Sequence, residues 1–289
     1  MTVARPETLD EVLAALSDAP NADLLAGGTD FMVEVNFGHR RPRTVVALRR
    51  VRELRGWHRD DGMWDLGALV TYRQIELELA GDLPALATAS RTVGSPQIRN
   101  AGTVGGNIGT ASPAGDALPL LTALDAHVVC SGVEGRRTIA LREFITGPKQ
   151  TDRRPGEVIT RVRFDACEGP QQFLKIGPRA AMAISTACLA LVADTDARRV
   201  RVGCGSVAPR PIRPDEAEAF ASEALDWESG AIAPDDVATF GQMVAGAVTP
   251  VTDHRGTAGY RSHAIGVLAR RALERAAREL ADHGTQEAR

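Results

Sequence analysis

The chain has 289 residues, of which 44% are hydrophobic and 25% are charged, and its formal net charge is −3. This length is sufficient for two domains with separate cores, and the charge gives no reason to expect a nucleic acid or an anionic membrane as partner. No apolar run approaches the ~20 residues that span a bilayer, and the amino terminus turns acidic where a signal peptide would be apolar. We therefore expect a cytoplasmic protein without a membrane span.

The cysteines and histidines predict no metal site. Cys130, Cys167, Cys188 and Cys204 are far apart in the chain, and the six histidines are equally scattered. Because zinc and iron–sulfur sites need closely spaced ligands, we expect the thiols to be small buried side chains. Neither paired carboxylates nor an activated nucleophile can be recognised, so no residue is assigned a catalytic role.

Strands and short helices alternate in the first part of the chain. Thr8–Glu11 is a capping box that starts a first helix. Strands are predicted at Asp23–Leu25, which is expected to be buried, at Thr44–Leu48 and at Trp64–Ala68. The basic run His39–Arg43 is expected on the surface or at a subunit contact.

The same alternation continues on both sides of a glycine-rich centre. Helices are predicted at Thr71–Leu79, Pro84–Val93 and Ala117–Leu124, and strands at His127–Cys130, Arg137–Ala140 and Val158–Phe164. The polar segment Thr146–Glu157 is typical of a loop that covers a site or meets a partner. Together these elements predict an α+β domain over residues 1–167.

A second, smaller domain is predicted over residues 172–285, with Cys167–Gln172 as the candidate linker. Strands are predicted at Phe173–Ile176, Ala183–Ala193 and Val200–Val207, and helices at Pro214–Leu225, Pro234–Val248 and Tyr260–Leu280. This pattern indicates a small three-stranded sheet covered by helices.

Two glycine-rich segments indicate an anion site. Asn100–Gly115 contains five glycines and no charged or aromatic side chain, and Leu24–Phe31 (LLAGGTDF) follows a predicted strand. Glycine lets N–H groups approach a ligand closely, and successive N–H groups form a concave nest for an anion such as a diphosphate. Neither segment has the GxGxxG pattern or ends in Gly-Lys-Ser/Thr, which disfavours a Rossmann site and a P-loop. A dinucleotide held by two separate segments remains, with tight turns between strands as the alternative.

Motifs distributed over nearly the whole chain resemble one family. They are AGGTD (Ala26–Asp30), SPQIRNAGTVGGN (Ser95–Asn107), ASPAGD (Ala111–Asp116), FITGPKQT (Phe144–Thr151), KIGPRAAMAIS (Lys175–Ser185), GSVAPRPIR (Gly205–Arg213) and YRSHAIGVLARRAL (Tyr260–Leu273). As a set they resemble the FAD-binding (medium) subunit of the molybdenum hydroxylases, which include xanthine dehydrogenases and aerobic carbon monoxide dehydrogenases. The resemblance implies a two-part FAD-binding domain of the vanillyl-alcohol-oxidase (PCMH) type, followed by a carbon monoxide dehydrogenase flavoprotein-like C-terminal domain.

The resemblance also implies the FAD contacts and the partners. The residues matched to FAD contacts are Leu24, Leu25, Ala26, Gly27, Gly28, Thr29, Asp30, Phe31, Thr103, Val104, Gly105, Gly106, Asn107, Asp116, Ile159 and Lys175. A small subunit with [2Fe-2S] clusters and a large molybdopterin-binding subunit are expected as partners, in a dimer of heterotrimers. This chain would then pass electrons from the clusters through FAD to a final acceptor.

Three of the matched residues also have a purely structural interpretation. Asp116 precedes a predicted helix and could cap it, and Ile159 lies in an apolar strand that fits a core. Lys175 lies between apolar neighbours in a strand and could point to solvent. Arg99 and Arg179 are reserve candidates for pairing with phosphate.

A self-contained flavin oxidase of the vanillyl-alcohol-oxidase type is the alternative function. Such an enzyme needs an acid or base beside the flavin and often a histidine or cysteine linked to it, yet neither glycine segment contains a histidine. A third interpretation, a scaffolding protein with degenerate segments, would not need the intact glycines at positions 27, 28, 105 and 106. The sequence specifies neither the organic substrate nor the final acceptor.

Overall fold

The structure of the chain, a computed structural model, describes residues 1–287. The helices are α1 (Leu9–Asp18), α2 (Phe31–Asn36), α3 (Tyr72–Glu78), α4 (Pro84–Thr92), α5 (Pro96–Ala101), α6 (Val104–Thr110), α7 (Ala117–Ala123), α8 (Leu141–Phe144), α9 (Asp215–Ala224), α10 (Pro234–Ala247) and α11 (Ala258–Glu287). The strands are β1 (Thr2–Ala4), β2 (Asp23–Leu25), β3 (Thr44–Ala47), β4 (Trp57–Asp60), β5 (Met63–Gly67), β6 (His127–Gly132), β7 (Gly135–Ala140), β8 (Ile145–Gly147), β9 (Gln150–Thr151), β10 (Val158–Asp165), β11 (Gln171–Ile176), β12 (Ala187–Asp194) and β13 (Arg199–Gly205). The α+β class predicted from the sequence is confirmed.

The chain forms two compact units, and each is assembled from separate stretches of sequence. Unit 1 contains residues 1–75, 94–112 and 125–165, and unit 2 contains residues 76–93, 113–124 and the chain from Ala166 onwards. Helices α4 and α7 therefore belong to unit 2, although they precede most of it in the sequence.

Unit 1 contains two larger sheets and one small hairpin. Strands β1, β3 and β2 form a parallel sheet in that order, and β4-β5-β10-β6-β7 is antiparallel. The predicted first helix is confirmed, because the Thr8 hydroxyl accepts a hydrogen bond from the Glu11 N–H at 3.2 Å. Val12 and Leu16 of this helix are fully buried against β3 residues such as Val46.

Unit 2 is built on the antiparallel sheet β11-β12-β13. Alternate residues of β12, such as Leu189 and Leu191, join the core formed with α9, α10 and α11. Helix α7 approaches the sheet so closely that a Cβ on Gly203 would lie 1.8 Å from the Pro119 carbonyl oxygen. Arg261 is 1% exposed and donates to the carbonyls of Thr186 and Ser206, which binds α11 to the strand ends.

Several predicted boundaries were wrong. The strand predicted from Ala183 begins at Ala187, because the preceding residues form a loop whose Ser185 side chain bonds elsewhere. Strand β4 (WHRD) was not predicted, since three of its four residues are exposed and it lacks an apolar pattern. The glycine-rich centre is not one open loop but contains α5 and α6. Over residues 1–287, no helix combines the length and apolar character that crossing a bilayer requires.

Candidate functional site

The first glycine segment, Leu24–Phe31, runs from β2 into α2. Leu24 and Leu25 pair with Val46 and Ala47 in the parallel sheet, but they are half-buried, so the predicted strand is correct and its predicted full burial is wrong. Gly28 has a φ of +75°, which an L-residue rarely adopts and which turns the chain towards α2.

This segment presents free main-chain donors. Among residues 1–287, no protein acceptor is found for the N–H groups of residues 27–30, and hydrogen bonding resumes where Met32 N–H donates to Gly28 O at 3.0 Å. The four residues are half-buried rather than open to bulk water. Because main-chain N–H groups are almost always bonded in a native structure, these consecutive donors are suited to an anionic ligand.

The second glycine segment, Thr103–Asn107, is the cap and first turn of α6. Val104 N–H donates to Val70 O at 3.0 Å, and Gly105 N–H donates to Ala68 O at 2.9 Å. Thr103 is the N-cap, and its side-chain oxygen accepts from Gly106 N–H at 3.0 Å. The expectation that both segments offer free N–H groups is therefore met by the first and not by the second.

Close packing explains the glycines of the second segment. A Cβ on Gly105 would lie 2.5 Å from the Ala68 Cβ, so only glycine fits there. The first segment also approaches the end of α5, because a Cβ on Gly27 would lie 1.8 Å from the carbonyl oxygen of Ala101, two residues before the second segment.

Asn107 supplies an unsatisfied polar atom in the same unit. Its side-chain Oδ1 is buried and has no hydrogen-bond partner among the described residues. A buried acceptor of this kind normally bonds to a donor that a ligand or water provides. The ribityl hydroxyls and ring N–H of a flavin dinucleotide are such donors, and the N–H groups of residues 27–30 suit its diphosphate, so the residues present fit FAD.

Ile159 lies on β10 beside α6. Its side chain is 6% exposed, and its Cδ1 would be 3.6 Å from a Cβ placed on Gly109. The pairing of β10 with β6 is irregular between Ile159 and Arg161. Such irregularities re-aim side chains and are frequent next to active sites. This geometry is compatible with both the core and the cofactor interpretations of Ile159.

Asp116 and Lys175 form a buried ion pair in unit 2, with 2.5 Å between Asp116 Oδ2 and Lys175 Nζ. Asp116 makes no side-chain bond to the helix that follows it, so the capping interpretation is wrong. The Lys175 side chain is only 12% exposed, so the interpretation that it points to solvent is also wrong. The remaining predicted contact residues all belong to unit 1.

Thr92 and Ser185 complete the surroundings of Asp116. The Thr92 hydroxyl donates to Oδ2 at 3.0 Å, and the Ser185 hydroxyl donates to Oδ1. Ser185 ends one of the recognised motifs, whereas nothing in the sequence marked Thr92. With these bonds the carboxylate holds the Lys175 ammonium in one place, at the edge of a cavity of 430 Å³ within unit 2.

The side chains of Arg99 and Arg179, the two reserve candidates, donate to main-chain carbonyls near them in the sequence. Arg179 borders the same cavity, but its guanidinium donates to the carbonyls of Ala181 and Met182 in its own loop. Arg99 Nη1 donates to Gly94 O at 3.2 Å. Neither arginine therefore gains support as a phosphate ligand.

The thiols and potential metal ligands add no further site. Cys130, Cys188 and Cys204 are buried as predicted, and Cys167 is half-buried. Burial raises the pKa of the Cys130, Cys167 and Cys188 thiols to about 12, which keeps them protonated. No group of three or more His, Cys, Asp or Glu residues suited to a metal ion occurs in the part of the chain that the structure describes.

Two family models match the chain. The model for the FAD binding domain in molybdopterin dehydrogenase matches residues 1–165, and the model for the CO dehydrogenase flavoprotein C-terminal domain matches residues 172–276.

Known proteins similar to the chain match it over nearly its full length. The glyceraldehyde dehydrogenase medium chain of Sulfolobus acidocaldarius is 30% identical, with 94% of this chain and 97% of that protein covered. The xanthine dehydrogenase FAD-binding subunit of Escherichia coli is 29% identical, with 94% of each covered. A chain in the solved structure of carbon monoxide dehydrogenase from Hydrogenophaga pseudoflava matches with a TM-score of 0.84 at 26% identity, covering 96% of each chain.

Proposed function

This chain belongs to the FAD-binding subunits of the molybdenum hydroxylases, and from that premise we propose that it receives electrons from a partner's [2Fe-2S] clusters and delivers them through FAD to a final acceptor. It is an FAD-binding subunit of an oxidoreductase. The relatives are subunits of dehydrogenases, and the comparisons give no support to the alternative of a self-contained oxidase.

The main support for how FAD is held is the row of N–H groups at residues 27–30, which have no acceptor in the part of the chain that the structure describes. These donors are placed to bind the diphosphate, and hydrogen bonds to a charged acceptor contribute about 1.5–3 kcal/mol each. Bound FAD supplies the redox chemistry, and the protein holds and orients it. The second segment acts mainly as a packed support, to which Asn107 adds one acceptor.

The FAD contacts that the resemblance implies divide between the diphosphate side and the flavin side. Leu24–Phe31 forms the diphosphate-side contacts, Thr103–Asn107 contacts FAD through the Asn107 side chain, and Ile159 is the apolar contact on the flavin side. Asp116 and Lys175 contribute a polar contact and a positive charge, which is supported by the ion pair that fixes the ammonium. A fixed cation stabilises negative charge on a reduced ring.

The partners of the chain are two further subunits. Relatives named as medium chains imply further subunits, as in the carbon monoxide dehydrogenase medium chain of Hydrogenophaga pseudoflava. We infer a small [2Fe-2S] subunit and a large molybdopterin-binding subunit, in a dimer of heterotrimers. The domain division into 1–167 and 172–285 agrees with the spans of the two family models, whereas residues 76–93 and 113–124 belong to unit 2 in the structure. A cytoplasmic location agrees with four cysteines that are all unpaired.

Flavin binding by two glycine variants tests the proposed site. The Gly28→Ala variant places an L-residue at φ +75°, and Gly62→Ala does the same at φ +76° in the β4–β5 turn, away from the segment. Both should lose about 1–2 kcal/mol of stability from backbone strain. Only Gly28→Ala should weaken FAD binding, by at least about tenfold, measured by flavin fluorescence during titration.

The same titration can contradict the proposal. A wild-type chain that stays colourless and binds no added FAD would remove the proposed site altogether. Equal FAD affinity of the two variants would show that the diphosphate does not depend on the first segment.

A further inference from the structure

Lys149 adopts an unusual backbone conformation in the turn between β8 and β9. Its φ is +55°, a region where glycine is unstrained and a side chain is disfavoured. Pro148 precedes it as the first central residue of the turn. A non-glycine residue keeps such a conformation only where its surroundings hold it there, so the contacts of Lys149 matter.

The contacts of Lys149 reach the elements that follow both glycine segments. Its N–H donates to Ala111 O at 3.0 Å, and Ala111 is the left-handed C-cap of α6. Its Nζ donates to Glu34 Oε1 at 2.6 Å and lies 4.0 Å from Asp30 Oδ2. Glu34 belongs to α2, and Asp30 is one of the four residues of the first segment whose N–H groups have no acceptor within residues 1–287.

Two further ion pairs connect Glu34 to Asp23, at the other end of the first segment. Glu34 Oε2 lies 3.5 Å from Arg40 Nη1, and Arg40 Nε lies 3.2 Å from Asp23 Oδ1. The segment Leu24–Phe31 is thus flanked by charged groups at the start of β2 and in α2. The hydrogen bond between the Lys149 and Glu34 side chains lowers the pKa of Glu34 and raises the pKa of Lys149, so both are charged at neutral pH.

We propose that Lys149 is a positioning residue for FAD. Through Ala111, Glu34 and Asp30 it fixes the position of the two glycine segments relative to each other. This inference rests on the proposed function, because it assumes that the first segment binds the diphosphate. Main-chain donors must be held to within about half an ångström to act together on one ligand. A side chain anchored to α2 and a backbone anchored to α6 supply that restraint, with no contact between Lys149 and FAD required.

The Lys149→Gly variant of the full chain tests the role of Lys149 through the dissociation constant for FAD and the melting temperature. Lys149→Gly removes the side chain but relieves the positive φ, so its melting temperature should equal or exceed that of the wild type. Its FAD dissociation constant should nevertheless rise about fivefold to tenfold, because the first segment is no longer anchored. A merely structural lysine would not combine these two results.

A double-mutant comparison identifies the partner. Glu34→Gln should weaken FAD binding as Lys149→Met does, and the double variant should be no weaker than either single one, because both remove the same contact. Lys149→Arg should retain most of the affinity.

The failure of this inference differs from the failure of the proposed function. If Lys149→Gly binds FAD as tightly as the wild type, the positioning role is overturned while the FAD site stands. Additive losses in the double variant would overturn the coupling through Glu34. If the wild type does not bind FAD, the proposed function fails, and the inference fails with it.

Discussion

The two glycine segments of unit 1 are similar in sequence and opposite in use. Within residues 1–287, the N–H groups of residues 27–30 have no acceptor, whereas those of residues 104–107 are all bonded within the protein. Gly28 is needed for a positive φ, while Gly105 is needed because another backbone passes close to it. Glycine content therefore does not distinguish a segment suited to bind an anion from a segment that packs against the protein. The distinction lies in whether the N–H groups already have acceptors within the protein.

The largest effect is expected at the packing glycine. Gly105→Ala would bring a Cβ to 2.5 Å from Ala68, so we expect a loss of about 3 kcal/mol in the free energy of unfolding. Urea denaturation of the full chain measures it.

Gly109→Ala is the matched control for that variant. Gly109 lies in the same helix, is exposed, and would place its Cβ at an ordinary 3.6 Å from Ile159. Alanine there should be neutral or stabilising by up to about 1 kcal/mol, since it favours the helix. Equal losses in the two variants would contradict the packing explanation.

One threonine in each segment provides a second comparison, with smaller expected effects. Thr103→Val removes the oxygen that caps α6, which should cost about 1 kcal/mol of stability. Thr29 has no such internal role within the described residues, so Thr29→Val should leave the unfolding midpoint unchanged. Thr29→Val should instead weaken FAD binding about fivefold, if its hydroxyl donates to the diphosphate. If Thr103→Val weakened FAD binding and Thr29→Val reduced stability, the second segment would be the binding segment and the first the packing segment.

The smallest effect concerns pH. The hydrogen bond from Lys149 lowers the pKa of Glu34 below its usual value, so Glu34 binds protons more weakly in the folded chain. Its stabilising contribution is present above the unfolded-state pKa and is lost as the pH falls through the folded-state value. Carboxyl chemical shifts in an NMR titration should show a depressed pKa in the wild type. In Lys149→Met the pKa should return towards its usual value, and an unchanged pKa would contradict the ion pair.

The sequence predicted those elements whose cause is local. The first helix follows from Thr8 and Glu11: the Thr8 hydroxyl caps the Glu11 N–H as expected, while the Glu11 carboxylate accepts from Glu7 N–H instead of Thr8 N–H. Strand β10 follows from its apolar residues, and its predicted start at Val158 is correct. Most helices with a capping residue or an N-terminal proline were likewise found within one or two residues.

Long-range contacts decided what the sequence did not reveal. Helix α6 contains three glycines, which disfavour a helix, yet bonds from Val104 and Gly105 to the chain near Ala68 hold its first turn. The carboxylate of Asp116 had a plausible local partner in α7 but bonds to Lys175 and Ser185, both more than fifty residues away. Single-sequence patterns carry no information on such distant partners.

The interleaved make-up of unit 2 has a consequence for the newly made chain. Every residue of α7 is buried, and its close neighbour Gly203 lies in β13, far downstream in the sequence. During synthesis α7 therefore leaves the ribosome as an apolar segment with no sheet to cover it, and at about 5–20 residues per second it waits for several seconds. A nascent chain halted after residue 165 contains α4 and α7 but not the sheet that covers them. We therefore expect it to expose apolar surface that chaperones bind.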